Sequence, residues 1–591
     1  MDRMLSFLLS TLLFSCALAV VVQETSSIFR LSNEEISFDL VKATGVVQNL
    51  TYRGVSLLGS VSGNTGKAYT DFPSNLFSLT GNSSFDLVNG PDWSGVVFTD
   101  NDTSGSIVQR SWFLRDTEAG LHSFVRLAYY NATVPFKGAL GESRTMFRPN
   151  GGPWTHLVTN HEQWAPEPSA EALANEIEVQ DATWYLGSTP NDPYVIEESD
   201  YWTKYTFADN QTNKAHGLFG RGPGDLSLGA WWVVNQKDTF FGGPLHVDLM
   251  VDGIIYNKQS TSHGGATSPN ITDGFDRTFG PQFLYFNNGQ NASLHDLLED
   301  AEQLADPSWN ADFYDEIAPY VVGYVSTSAR GSLSGRVQLP EGASNAIAVL
   351  SANGVHFQDS AADPRAYQYW VPLDPGDNSF NITRVKEGTY RLTVYADGIF
   401  GDFIKDDVVI NAGLTTNVYE IWVAESAGRE IWRIGVPDKS SGEFRNGYER
   451  DETHPNHPAK YRIYWGAWDF PTQFPQGVNF TVGVSNENVD WNYIHWSQFG
   501  PTFTRNETVT DFNKWHINFD LSDSVIINED SIATLTIQLA AAKTTAGNTD
   551  ANTGSNPSFP ILIWLNDQET PLNWTIQAYE SSSCGQRSGK S

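Results

Sequence analysis

Two arginines, one lysine and one histidine are the residues of this chain best suited to chemistry on an anion. The arginines are Arg144 and Arg148, in Gly141-Glu142-Ser143-Arg144-Thr145-Met146-Phe147-Arg148. Four positions apart, they share one side of a strand and are also neighbours on a helix. Either way, two guanidinium forks lie on one face and can hold a carboxylate through paired N–H donors. A solvated basic edge has the same spacing. Lys204 lies in Tyr201-Trp202-Thr203-Lys204-Tyr205. A lysine that is partly desolvated and near other cations has a lowered pKa and serves as a base. A surface lysine flanked by core aromatics gives the same pattern. His263 lies in Ser262-His263-Gly264-Gly265, where glycines admit close approach of ligand or backbone. Imidazole is the usual proton shuttle near neutrality. His246, in Gly242-Gly243-Pro244-Leu245-His246-Val247-Asp248, is its rival, and an ordinary loop histidine is the plainer reading of either.

Other catalytic templates find little support. The chain has no Walker loop, no His-Glu-x-x-His and no cysteine-based metal site. Its 69 acidic residues make carboxylate pairs easy to find, so a glycoside hydrolase with paired carboxylates stays open.

Bulk composition narrows the partners. The formal net charge is −33, which argues against DNA or RNA, whose phosphates need clustered Lys and Arg. An anionic membrane is disfavoured for the same reason. Such a charge repels an acidic polymer at long range, so an anionic substrate requires a local basic site. Charged residues make up 18% and hydrophobic residues 40%, values that fit a folded globular chain. Aromatics reach 13%, and flat rings suit sugar faces as well as cores.

Met1 to Ala19 reads as a secretory signal: an apolar stretch from Met4 to Ala17, then Ala17-Leu18-Ala19 before Val20. A secreted, extracellular protein is expected, outside the membrane, and a monomer. Of 2 cysteines, Cys16 leaves with the signal and Cys584 remains alone, so the mature chain holds no internal disulfide. Sequons at Asn49, Asn82, Asn101, Asn131, Asn210, Asn270, Asn291, Asn381, Asn479, Asn506 and Asn573 agree with secretion and predict surface positions for glycans. A glycan at Asn210, close to Lys204, would have to point away from the site.

The elements that must position these residues read as strands. From Thr25 to about Ile317 short strands alternate with turns, as at Phe38-Asp39-Leu40-Val41. In Leu121 to Tyr130, Leu121, Val125, Leu127 and Tyr129 take one face, and His122, Phe124 and Arg126 the other. Leu228 to Val234 is a buried run, and a large sandwich is expected. One helix is clear: Leu294, Leu297, Leu298, Ala301 and Leu304 follow the helical period behind Ser293 as N-cap, and Asp306-Pro307 ends it. A domain edge is placed near Ala318-Pro319.

A smaller unit follows, of immunoglobulin or fibronectin size. Ser332 to Val337 and Tyr390 to Tyr395 are its clearest strands, with a turn at Lys386-Glu387-Gly388-Thr389. From about Ala424 a third unit is again strand-like and rich in Trp. Its expected strands are Asn479 to Val484 and Ile532 to Leu539, with a low-complexity loop from Gly547 to Ser558. A jelly roll fits it best. The expectation is an all-β chain: signal 1–19, sandwich 20–320, small sandwich 321–423, jelly roll 424–591.

Glu430-Ile431-Trp432-Arg433-Ile434-Gly435-Val436-Pro437-Asp438-Lys439-Ser440-Ser441-Gly442-Glu443-Phe444 resembles the opening of the third domain of polysaccharide lyase family 4, the rhamnogalacturonan lyases, in their fungal B-like form. Asp490-Trp491 and Tyr493 fit the same domain. The resemblance covers nearly the whole mature chain. It implies a catalytic β-sandwich, a fibronectin type III-like domain and a carbohydrate-binding-like jelly roll. It further implies a lysine and histidine catalytic pair, matching Lys204 in Trp202-Thr203-Lys204-Tyr205 and His263. The family pattern Gly-Glu-x-Arg-x-x-x-Arg matches Gly141, Glu142, Arg144 and Arg148 as substrate-binding positions. Tyr256 stands where the family has a substrate-binding tyrosine. A second tyrosine, two residues on, is Lys258 here. Family members run further past a segment like Asn573-Trp574-Thr575-Ile576, so a shortened third domain is expected.

The implied reaction is β-elimination in rhamnogalacturonan I, a pectin backbone, at its rhamnose-(1→4)-galacturonate bonds. A base removes the proton beside the uronate carboxylate, the neighbouring oxygen leaves, and a 4,5-unsaturated galacturonate results. Arg144, supported by Arg148, neutralises the carboxylate; Lys204 is the base and His263 the proton donor, with the reverse assignment open. No cofactor or metal is required; a structural calcium stays open, although no clear ligand motif calls for one. Endo and exo action stay open, as does a non-catalytic pectin-binding role carried by the third unit's aromatics.

Overall fold

Alternating apolar residues in short strands build two large antiparallel sheets. The computed structural model describes residues 20–72, 83–134, 140, 143–161, 163–180, 183–203, 213–239, 243–244, 254–260, 271–357, 367–426, 428–439, 443–445, 473–492, 498–499, 509–510, 514–522, 525, 528, 530–538 and 559–576. The first sheet has eight strands. Along its path lie Val21–Glu24, Ile28–Ser32, Ile36–Val41, Val46–Tyr52, Lys67–Asp71, Ser143–Arg148 and Ile255–Ser260. The second has nine, running Gln163–Pro166, Trp154–Asn160, Ala215–Arg221, Leu226–Val233, Phe275–Gln290, Gly120–Tyr129, Ser106–Arg115, Trp93–Asn101 and Ser84–Asn89. Phe38, Leu40, Val47 and Phe147 of the first sheet share one buried cluster with Leu114, Leu121, Trp232 and Phe286 of the second.

The nine-stranded sheet is buried on its other face too. Helix Leu294–Glu302 lays Leu294, Leu297, Leu298 and Ala301 against Trp231 and Phe283. Its start is a capping box in which the Ser293 hydroxyl accepts from the Asp296 N–H and the Asp296 carboxylate accepts from the Ser293 N–H. A second helix, Ala311–Ile317, absent from the sequence expectation, packs Phe313, Tyr314 and Ile317 on Trp93, Phe113 and Phe124. Cover on both sides explains why Leu228 to Val234 reads as an unbroken apolar run.

The alternation expected in Leu121 to Tyr130 is observed. Leu121 enters the sandwich core, Val125, Leu127 and Tyr129 a neighbouring cluster, and Phe124 packs on the second helix. His122 is fully buried between that helix and the sheet. Its Nδ1 lies 2.9 Å from the Tyr314 hydroxyl and its Nε2 2.7 Å from Glu118 Oε2. With Phe283 stacked on the ring at 4.5 Å, this acid–imidazole pair fastens the helix and has no room for a substrate.

The next unit has a three-stranded and a four-stranded sheet built from seven strands between Arg330 and Ile421. Leu333, Val337, Leu350, Ile382, Leu392 and Val394 fill its core. In the third unit, Val478–Thr481 pairs in parallel with Trp515–Asn518, and Phe559–Ile563 pairs with Leu572–Ile576. Trp491 anchors this region beside Trp515 at 4.8 Å and Phe480 at 5.5 Å.

The expected strand at Ile532 to Leu539 is corrected. The described residues 530–538 form no ladder, and Ile532 is 90% exposed, because strand-forming side chains alone do not supply a pairing edge. Leu539, the loop from Gly547 to Ser558 and Cys584 lie outside the described residues.

The Glu430 to Phe444 stretch also finds a physical reason. Gly435 has φ +76°, and a Cβ there would meet Phe444 at 2.3 Å. Its N–H donates to Glu487 and that of Val436 to Glu443, so a tight turn is held by two carboxylates. Among the described residues no helix is long and apolar enough to cross a membrane.

Candidate functional site: a cationic sheet face

Strand Ser143–Arg148 lies between Lys67–Asp71 and Ile255–Ser260 in the eight-stranded sheet. Ser143, Thr145 and Phe147 point inward and are fully buried, with Phe147 in the sandwich core beside Ala68 and Ile255. The period of two therefore sends Arg144, Met146 and Arg148 to the opposite face. The expectation that both arginines share a side holds. A buried ladder pins this register: Ser143 Oγ donates to Gln259 Oε1 at 3.1 Å, and Gln259 Nε2 donates to Thr145 Oγ1 at 2.8 Å.

Lys67, Tyr69 and Asp71 lie opposite Arg148, Met146 and Arg144 and share their face. Arg144 donates to Asp71 Oδ2 from Nη2 at 2.8 Å and from Nε at 3.3 Å. Its side chain is 16% exposed, against 43% for Asp71. Met146 is only 2% exposed although it points away from the sandwich core, so the face is covered around it. Arg148 is half-buried, and among the described residues its side chain makes no hydrogen bond or ion pair. Opposite it, Lys67 Nζ donates to the Gly63 carbonyl at 2.6 Å and has no carboxylate partner among the described residues.

Four residues of strand span about 13 Å, and Arg144 is drawn sideways onto Asp71. Arg144 thus has an acidic partner within the sheet, while Arg148 has none among the described residues. On the other side of the strand, the register sets Tyr256 opposite Met146 and Lys258 opposite Arg144. Asp71, Lys67 and Tyr69 were missed by sequence reasoning. The only signal for them would have been the pairing of two strands more than 70 residues apart in sequence.

Lys204, His263 and His246 lie outside the described residues. The chain leads into Lys204 from strand Tyr201–Thr203, where Trp202 is 4% exposed and packs edge-on to Tyr194 at 5.0 Å. Strand Ile255–Ser260 ends three residues before His263. Of the sequon asparagines, Asn49, Asn101, Asn291, Asn381, Asn479 and Asn573 are exposed and Asn131 is partly so; Asn82, Asn210, Asn270 and Asn506 lie outside the described residues. Among the described residues no group of three or more His, Cys, Asp or Glu could hold a metal ion.

Comparison with known proteins gives the family. Residues 153–246 match the probable rhamnogalacturonate lyase B middle domain. Residues 340–418 match domain II of polysaccharide lyase family 4, and residues 430–591 match its domain III. The probable rhamnogalacturonate lyase B of Aspergillus fumigatus is 49% identical over 97% of this chain and 89% of its own length. Rhamnogalacturonate lyase B of Emericella nidulans is 48% identical over the same shares. The probable rhamnogalacturonate lyase C of Aspergillus oryzae is 42% identical over 100% of this chain and 87% of its own. The chain belongs to the rhamnogalacturonate lyases of polysaccharide lyase family 4.

Proposed function

We propose that this protein is a secreted, monomeric lyase that cleaves the rhamnogalacturonan I backbone by β-elimination at galacturonate. The observation that carries the reading is the similarity, over 97% of the chain, to proteins named as rhamnogalacturonate lyases. The face bearing Arg144 and Arg148 supplies the chemistry. A proton beside an ionised carboxylate is a very weak acid, so the main catalytic task is to neutralise the carboxylate as charge builds on it. Arg144 does this, oriented by Asp71. Lys204 takes the C5 proton, and His263 gives a proton to the departing oxygen at C4. The electron pair of the broken C–H bond becomes the new double bond, and no water is consumed. A lysine base has to be neutral, and guanidinium groups close to it would favour that form. In this reading no cofactor or calcium takes part, and the sequon asparagines carry glycans on the surface.

Lys204→Ala and His263→Ala, each assayed on rhamnogalacturonan by the ultraviolet absorbance of the unsaturated end, are expected to lose about 10²–10⁴-fold in rate. Near-normal turnover of either variant overturns the assignment. Product without that absorbance points to a hydrolase instead.

A further inference from the structure

We propose that Lys67 and Arg148 form a second carboxylate-binding subsite, distinct from Arg144, that holds another galacturonate of the same polymer chain. The inference rests on the lyase reading above.

The two residues stand directly opposite each other across the Lys67–Asp71 and Ser143–Arg148 ladder. That places their Cβ atoms about 5 Å apart. Like charges in this position destabilise a sheet unless an anion lies between them. Among the described residues neither cation has an acidic partner, in a chain with 69 acidic and 36 basic residues. Three other strand arginines are answered by a carboxylate. Arg30 is paired with Asp39 across its ladder, Arg126 with Asp276 and Arg391 with Asp406, each at 2.6 Å. On the site's own strand Arg144 has Asp71.

The geometry is also built in advance. The turn before Lys67 folds onto the end of the arginine strand. Gly66 N–H donates to the Arg148 carbonyl at 2.8 Å, and Asn150 Nδ2 donates to the Ser60 carbonyl at 2.8 Å. Gly66 has φ +74°, and a Cβ there would meet the Ser60 carbonyl oxygen at 2.4 Å, so this close fold demands glycine. Lys67 spends one of its three donors on Gly63 and keeps two. Four residues of strand set the Arg148 Cα about 13 Å from that of Arg144, and the polymer carries a carboxylate on every second sugar.

The test compares the full-length protein with Lys67→Ala and Lys67→Arg on long rhamnogalacturonan and on the shortest oligosaccharide that is still cleaved. Lys67→Ala is expected to raise KM on the long substrate about tenfold, and kcat to stay within about twofold. Lys67→Arg restores KM, added salt shrinks the difference, and the short substrate shows none. Retardation in a gel containing rhamnogalacturonan reads the same contact without turnover, with Lys67→Ala held back less than the parent. Equal KM on the long substrate, or equal retardation, overturns the subsite. A parent protein that yields no unsaturated product sinks the lyase reading instead, and the gel still decides the subsite. An unchanged unfolding midpoint in each variant separates a lost contact from a lost fold.

Discussion

Two groups of cations in this molecule are treated in opposite ways. Between the first and second units, the Asp238 side chain, 3% exposed, lies against Arg330 at 2.7 Å and Lys386 at 3.6 Å. Arg330 also donates to the Val325 carbonyl at 2.7 Å and the Arg384 carbonyl at 2.8 Å. The Tyr367 ring is flanked by Arg277 at 3.6 Å and Lys386 at 3.4 Å. Burial alone would push the Asp238 pKa up, but Arg330 and Lys386 outweigh it and hold the carboxyl far below its usual range. On the sheet face, Lys67 and Arg148 are half-buried and have no acidic partner among the described residues. The difference separates two uses of charge. Cations answered by the chain's own carboxylate join its parts, and cations left unanswered are available to something outside it.

The largest test of that contrast is Asp238→Asn. It strands Arg330 and Lys386 in a largely buried junction, so a loss of about 3–5 kcal/mol is expected from urea unfolding. The acid response changes with it. A carboxyl whose pKa is lowered by folding stabilises the native state above its unfolded value, about 3.9, and loses that contribution as pH falls further. The parent should therefore lose stability below that pH, and the variant should lack this part of the loss. A smaller effect is expected for Asp71→Asn. The pair it breaks is partly exposed, so stability should fall by less than about 1 kcal/mol, while a looser Arg144 lowers kcat/KM. The smallest effect on stability belongs to Arg148→Ala, within about 0.5 kcal/mol, measured beside a raised KM for long rhamnogalacturonan. If Arg148→Ala unfolds the protein, the contrast between the two groups of charge is broken.

The sequence showed some of this and hid the rest for physical reasons. Period and capping are local, so helix Leu294–Glu302 and its Ser293 cap were legible, as was the common face of Arg144 and Arg148. The helix Ala311–Ile317 was not. It is under two turns long, and its N-cap, Asn310, makes no side-chain capping bond. Asp71 escaped notice because ladder register between distant strands has no local signature. Asp238 escaped for the same reason, its partners lying 92 residues away at Arg330 and further on at Lys386. The family motifs named Lys204 and His263, which the residues alone left among ordinary alternatives.

The Asp238 junction also decides where this chain can be cut. Val234 packs on Ile347, Phe357 and Trp370, and Thr278 Oγ1 donates to the Val322 carbonyl at 2.6 Å. A fragment ended at the first boundary keeps the Asp238 carboxylate and discards both of its counter-ions, along with the apolar cover beside them. The first unit is thus unsuited to excision as a minimal enzyme, and the small sandwich behind it acts as its keystone.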